Sequence, residues 1–466
     1  MPRQKQKKDQ AGRRLPANEQ STSQMKKKKR HKEKATRHWN FLARFKRSKT
    51  TGSYEKKPKK AKKPLINWGE FFRYVNQPIL ITSLILLVIG VVMVLTASSY
   101  IVINSGGHNV AQFALKQGLF VMVGMAPVFF LYPIKTSVFR HRQLLRGAVI
   151  VLVLLLLIAR FLFAPVNGAH GWIIVGPISI QPMEFVKPII VLLWADYYAC
   201  YTRDIQRRGF FKTLWAHPMV PMMTLLFFAL TMIMPDFGGL LILGSIWVMM
   251  SLASGVDPKN TVKIIAAVVA LYFVMVAVLS VFDLSHLNNL SYVVRRFTAF
   301  VNPFADERGT GLQLANSYYA LGRGGIIGVG AGNSIQKMGY LPEAHNDFIM
   351  AIVGEEFGLM GILLILALYY FLTLYLFNKA LKVRTTYHQL ILIGVASYFL
   401  IQSLVNLGAV TGMLPITGVT FPFISYGGSS VLTTCVMLGI VLAALRTDYK
   451  QRERYQLEAL PKTKSV

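Results

Sequence analysis

Near the middle of the chain, Leu341, Pro342, Glu343, Ala344, His345, Asn346 and Asp347 lead directly into the apolar run Phe348 to Val353. Two carboxylates and an imidazole within five residues are side chains that move protons. Pro342 breaks the chain ahead of a helix, and His345 or Asn346 stands near its cap, which puts Asp347 in the first helical turn. A carboxylate in that position is favoured by the helix dipole with no catalytic duty at all. The surroundings point further. Glu343, His345, Lys337 and the pair Arg295 and Arg296 converge on the same rim, giving a general-base candidate beside a cationic cluster.

The same segment, from about Asp283 to His345, is polar, Gly-rich and dotted with Arg295, Arg296, Arg308, Arg323 and Lys337. Its run Gly322, Gly324, Gly325, Gly328, Gly330 and Gly332 reads either as a close-packed turn over a membrane surface or as a cradle of backbone N–H groups for a pyrophosphate. A nucleotide phosphate loop is excluded, because no strand precedes it and no Gly-Lys-Ser follows. Further on, Glu355 and Glu356 lie inside an apolar run, where a charge is costly unless paired or neutralised. Glu184 and Lys187 stand at i and i+3 after Gln181-Pro182, a spacing that allows a structural pair. Toward the end of the chain PITGVTFPFISYGGSS, from Pro415 to Ser430, combines two prolines with Gly-Gly, so a broken re-entrant element is expected, lined by Ser425, Tyr426, Ser429 and Ser430.

The elements that must carry these residues are membrane spans. Of 466 residues 53% are hydrophobic and 15% charged, more apolar surface than a soluble core of this length can hide. Ten runs long enough for the bilayer core lie near 78–100, 112–132, 147–164, 182–199, 217–234, 238–254, 261–282, 346–377, 388–411 and 426–446. Alternate loops are basic, and the intervening loops 101–111, 165–181, 235–237 and 412–425 contain no Lys or Arg. By the positive-inside rule both termini are cytoplasmic, and the 283–345 loop between the seventh and eighth spans is a basic exception on the outer side. The fold expected is an all-α polytopic membrane protein of about ten helices. Its domains are a disordered basic tail over 1–66, a membrane domain over 67–448 and a short tail over 449–466.

The net charge of +32 does not imply nucleic acid, since 24 of the 52 Lys and Arg precede Asn67. That tail suits an orientation signal, or attraction to anionic membrane lipids or an acidic partner. Two cysteines, Cys200 and Cys435, on different spans argue against a disulfide framework or a metal cluster.

Three stretches resemble the SEDS family (shape, elongation, division and sporulation), the FtsW, RodA and SpoVE group. They are NGAHGWIIVGPISIQPMEFVK at 167–187, FVNPFADERGTGLQLANSYYALGRGGIIGVGAGNSIQKMGYLPEAHNDFIMAIVGEEFG at 300–358, and LPITGVTFPFISYGGSS at 414–430. The likeness covers about Pro78 to Arg446. It implies a peptidoglycan glycosyltransferase of the bacterial cytoplasmic membrane that polymerises lipid II on the outer face with a class B penicillin-binding protein. QKMGYLPEAHNDF and the long basic N-terminus look more like the division-type member than the elongation type, which implies other division proteins as partners and the septum as the site of action. The family's essential acid maps onto Asp347. Many members carry Lys before the Gly of the last loop, whereas Thr417 precedes Gly418 here, so no catalytic role for that lysine carries over.

Under this resemblance Asp347 takes the proton of the acceptor hydroxyl, and some of Arg295, Arg296, Arg323 and Lys337 hold the leaving diphosphate. Glu343, His345, Ser425, Tyr426 and Ser429 complete the substrate-binding candidates. No cofactor is certain; Mg²⁺ or another divalent cation is the candidate. Two rivals share the same sequence features: a lipid II flippase, which would place cations near the midplane, and a division scaffold in which Asp347 only caps its helix.

Overall fold

The computed structural model describes residues 68–104, 109–165, 171–176, 178–255, 299–307 and 309–459, together with 259, 262, 265, 266 and 296. Outside them lie the 1–66 segment read as a disordered tail, most of the seventh expected span, Arg295 and Arg308. The described helices are α1 Trp68–Tyr74, α2 Gln77–Asn104, α3 Gln112–Leu131, α4 Thr136–Phe139, α5 Arg142–Phe161, α6 Pro182–Arg208, α7 Phe210–Ala216, α8 Met219–Ile233, α9 Phe237–Ala253, α10 Leu312–Gly324, α11 Ile349–Lys382, α12 Thr386–Val410 and α13 Gly428–Ala459. One hairpin, β1 Ile173–Val175 with β2 Ile178–Ile180, precedes α6 and departs from a purely helical expectation. α13 runs on past residue 448, where a tail was expected.

Six helices, α2, α3, α5, α11, α12 and α13, are long and apolar enough to cross a membrane, and the pair α7 and α8, bent by 92°, would make a seventh. α6 falls short of that measure although it is 27 residues long, because it carries Glu184, Lys187 and Asp196. α9 is apolar but has only 17 residues. The chain is thus a multi-pass membrane protein, with six or seven of the ten expected spans qualifying among the described residues.

Burial sorts these helices into centre and rim. In the apolar window of α13 83% of residues are buried and in α12 78%, against 28% in α5 and 22% in α3. Apolar side chains gain little by leaving lipid for protein, so close packing and hydrogen bonds must hold the centre together. Trp194 on α6 stacks on Tyr198 at 5.1 Å between centroids and donates its indole N–H to Thr224 at 3.0 Å.

α11 is broken at Gly358, whose φ of 66° is left-handed. The glycine-rich run takes over the hydrogen bonds interrupted there. Val329 and Gly330 donate to the carbonyls of Glu355 and Glu356, both at 3.0 Å, and Leu359 and Met360 donate to Gly325 and Ile326 at 2.9 and 3.1 Å. The N–H groups of Val329 and Gly330 therefore face carbonyls and are not open to a pyrophosphate, in keeping with the close-packed reading of this run.

Gly324 and Gly322 sit in the same last turn of α10 but face different surroundings. A Cβ on Gly324 would lie 1.9 Å from the carbonyl oxygen of Gly354, whereas one on Gly322 meets nothing within 4 Å. Gly324→Ala should cost about 1–3 kcal/mol through overpacking, and Gly322→Ala should be neutral or stabilising by up to about 1 kcal/mol. Unfolding temperatures of the two variants in detergent, one lowered and one not, check this contrast.

Candidate active site

Glu343 opens the site. Its φ of 55° is left-handed, and its carbonyl accepts from the N–H groups of Asn346 and Phe348 at 3.0 and 3.3 Å. The chain is thereby held in a tight turn, and α11 starts at Ile349 with Phe348 at its cap. Asp347 accordingly stands just ahead of the helix, a correction to its expected position in the first turn. The reason is local: the left-handed backbone at Glu343 closes a non-helical turn onto its own carbonyl, so helical geometry starts only after Phe348.

Three hydrogen bonds fasten this turn to the irregular segment between α12 and α13. The side-chain amide of Asn406 on α12 donates to the carbonyl of Asp347 and to that of Val419, both at 2.7 Å. Tyr426 N–H donates to the carbonyl of His345 at 2.9 Å. Arg296 donates to the carbonyl of Ile416 at 2.9 Å. A Cβ on Gly418 would sit 3.7 Å from both terminal nitrogens of Arg296 and 3.9 Å from Asp347 Oδ2, so the loop at Gly418 lies close to both carboxylate and guanidinium.

Asp347 Oδ1 is buried and has no hydrogen-bond partner. Burial, seconded by the nearby Glu343 carboxylate, pushes the Asp347 pKa up to about 7, while Arg296 pulls the other way. Arg296 also acts on Asp236, which precedes α9 and accepts the N–H of Gly239 at 2.7 Å; burial raises the pKa of this carboxyl too. His345 shifts in the opposite direction: burial lowers its pKa below the ordinary imidazole value, against the pull of Glu343. Its ring lies 5.0 Å from Phe113 and 5.5 Å from Tyr426, and its Nδ1 is unpartnered.

The other expected anion binders are engaged elsewhere. Arg323 Nη1 lies 2.7 Å from Glu355 Oε1, which also accepts from Ile335 N–H at 2.9 Å. Lys337 is buried, with its Nζ 2.7 Å from Glu356 Oε1. Intramembrane carboxylates need such partners, and they draw both cations into the contact between the glycine-rich segment and α11. Of the expected cations within the described residues, Arg296 is the one beside Asp347.

Of the serines placed among the substrate binders, Ser425 closes the re-entrant segment on itself and Ser429 ties it to the chain before α6. Ser425 Oγ accepts from Phe421 N–H at 2.8 Å, and Ser429 Oγ from Gln181 N–H at 2.9 Å. Lys187 Nζ lies 2.6 Å from Glu184 Oε1 and donates to Gln402 Oε1 at 2.9 Å; the Gln402 amide donates in turn to Thr420 O at 3.0 Å. Gln117 on α3 supports the same segment through Ser425 O at 3.0 Å. Sequence reasoning missed Asp236, Gln117, Gln402 and Asn406. The last two sit at i and i+4 on one face of an apolar helix, a polar pair that membrane burial makes conspicuous. No group of three His, Cys, Asp or Glu side chains converges among the described residues. With Arg296 facing the carboxylate as well, these residues do not form a resident metal site.

A family model described as cell cycle protein, of the FtsW, RodA and SpoVE group, matches residues 77–450. A probable peptidoglycan glycosyltransferase FtsW of Lactococcus lactis is 36% identical over 404 residues, covering 82% of this chain and 95% of the relative. The Bacillus subtilis protein of the same description is 37% identical over 382 residues, covering 80% and 91%. Among solved structures, a chain of a peptidoglycan synthase complex coordinating polymerisation and crosslinking matches with a TM-score of 0.61 at 24% identity, covering 81% of this chain and 99% of that one. The rod shape determining protein RodA of Thermus thermophilus matches with a TM-score of 0.56 at 22% identity, covering 80% and 98%. These two structures show the shared fold.

A carboxyl with a raised folded-state pKa favours the fold when protonated, and that contribution is lost as pH rises from the ordinary value of 3.8 toward 7. Infrared difference spectra should show a carboxyl band titrating with a midpoint near 7 that is missing in Asp347→Asn. Arg296→Gln should move the midpoint upward, because it removes the cation that favours ionisation.

Proposed function

The chain belongs to the FtsW, RodA and SpoVE family of cell cycle proteins, and from that premise we propose that it polymerises lipid II into glycan strands with Asp347 as general base. It is a peptidoglycan glycosyltransferase, as its curated relatives are named. The observation that carries the assignment is the buried, unpartnered Oδ1 of Asp347 with the Arg296 guanidinium near it at Gly418.

The reaction joins a sugar hydroxyl to an anomeric carbon bearing a diphosphate. Asp347 Oδ1 takes the proton from the 4-hydroxyl of the acceptor GlcNAc as that oxygen bonds to the donor's anomeric carbon. The bond from this carbon to the diphosphate oxygen breaks, and the undecaprenyl diphosphate leaves with the electron pair. Direct displacement inverts the anomeric configuration. A diphosphate leaves well without protonation, so one base and positive charge suffice, unlike glycoside hydrolysis with its two carboxyls. A carboxylate with a pKa of about 7 is a stronger base than an ordinary one and remains substantially ionised at neutral pH. Arg296 supplies charge for the diphosphate, and the re-entrant segment over it limits water. No step needs a metal held by the protein.

In this reading the Asp347 end of the bundle faces outward and both termini are cytoplasmic, in accord with the distribution of basic loops. Partners are a class B penicillin-binding protein and other division proteins, with the septum as the site of action. A diphosphate carrier would need cations open along its path, whereas Lys187, Arg323 and Lys337 are each matched to a glutamate.

Purified wild-type and Asp347→Asn proteins, each given lipid II with and without a class B transpeptidase whose own active site is disabled, test the assignment. Wild type should make glycan and Asp347→Asn should lose activity by at least about a hundredfold while staying folded. Glycan strands from the variant at the wild-type rate would remove Asp347 from its role. Translocation of lipid II without glycan from either protein would favour a carrier.

A further inference from the structure

Tied to the re-entrant segment at Gln181, α6 runs from there to Arg208, about 39 Å away along the helix. Gly209, with a left-handed φ of 87°, then turns the chain into α7. α7 is bent by 92° from α8. α8 packs lengthwise and antiparallel beside α6: Trp194 meets Thr224, and Thr231 donates to Met183 Sδ at 3.5 Å. α7 therefore lies across the end of the bundle remote from Asp347.

The two sides of α7 differ. Phe210 and Thr213 are buried, the Tyr197 hydroxyl on α6 donates to the carbonyl of Thr213 at 3.1 Å, and His217, just past α7, stacks on Tyr201 at 3.9 Å between centroids. This side fixes α7 to α6. On the other side Phe211 is 54% exposed and Trp215 84%. They stand at i and i+4, neighbours on one helix face. Lys212 beside them is exposed, as are Arg207 and Arg208 ahead of Gly209. From 203 to 217 the one acidic residue is Asp204, whose Oδ2 lies 3.7 Å from His217 Nε2. Among the described residues Arg207, Arg208 and Lys212 take part in no ion pair.

Size and composition narrow the occupant. A helix of this length is about 10 Å long, and its open face is far smaller than the roughly 800 Å² that each partner brings to a stable protein interface. Exposed aromatic rings flanked by basic side chains, on a helix lying across the end of a membrane bundle, match the chemistry of the headgroup layer: rings at its boundary with the acyl chains, cations toward phosphate. We propose that α7 docks on a lipid surface as an interfacial helix, with Phe211 and Trp215 among the headgroups and Lys212, Arg207 and Arg208 toward anionic ones. The buried side of α7 sets this orientation, since it leaves the two rings no room against α6.

Tryptophan fluorescence of the full chain in phosphatidylcholine nanodiscs tests this. The chain has six Trp, so the Trp215 signal is taken as the difference between wild type and Trp215→Phe. That substitution changes an open side chain and leaves the packing of α7 on α6 in place. Trace phosphatidylcholine carrying a nitroxide high on its acyl chain should quench Trp215 about threefold more than the same lipid labelled at the chain end, as rings seated roughly 5–10 Å into the boundary require. With the upper-chain label carried on phosphatidylglycerol instead, quenching should rise about fivefold, the gain expected from one basic residue at a membrane surface. Arg207→Gln, Arg208→Gln and Lys212→Gln combined should abolish that rise, with quenching by labelled phosphatidylcholine unchanged. Quenching of Trp215 by aqueous acrylamide and by no lipid label leaves the face to a protein partner and overturns the proposal. Strongest quenching from the chain end, or equal quenching by the two headgroups, overturns it as well. The readout does not involve glycan formation, so it stands or falls apart from the catalytic assignment.

Discussion

Unpaired backbone polar groups cannot be left inside an apolar bundle, and the stretch between α12 and α13 is irregular backbone placed there. Every hydrogen bond that a helix would make for itself must come from somewhere else. Gln117, Gln402, Asn406 and Arg296 supply donors to the carbonyls of Ser425, Thr420, Val419 and Ile416. Those four come from α3, α12 and the segment before α10, so the segment's shape depends on several elements being in register at once. Asp347 is positioned by the same set, through Asn406. The site is in this sense a by-product of satisfying a buried loop.

Charge follows a parallel rule. Glu184, Glu355 and Glu356 are buried, and each has a cation within 2.7 Å. Removing one member of such a pair costs about 3–5 kcal/mol, because it strands the other charge. Asp347 differs from all three in having no cation in ion-pair contact, and its ionisation is pushed into the neutral range. Among the carboxylates described here, those in ion pairs hold segments together, whereas Asp347 is left able to exchange a proton.

Much of this could be read in the residues. Asp347, the Glu184 and Lys187 spacing, the need of Glu355 and Glu356 for partners, and the broken character of the last loop all follow from charge and backbone rules applied locally. What could not be read is long-range. Arg323 and Lys337 look like rim cations in sequence, yet their partners lie 32 and 19 residues away across a helix break. Asn406 and Gln402 carry no charge to draw attention, and their role appears only when α12 is set against the loop. The first helical turn was misplaced because nothing in the sequence marks Glu343 for a left-handed backbone. α6 is counted as a span from the sequence, and it falls outside the six qualifying helices because it carries Glu184, Lys187 and Asp196.

The Asn406 side chain has one further consequence. Its nitrogen carries two hydrogens in a rigid plane, one given to Asp347 and the other to Val419. The gap between the floor and the roof of the site is therefore gauged by a single flat group, like the jaws of a caliper. Widening it breaks a bond, and narrowing it meets the van der Waals radius of the same atom. A side chain at 406 without two hydrogens on one planar atom would leave one of the two carbonyls unpaired and release the turn from the loop.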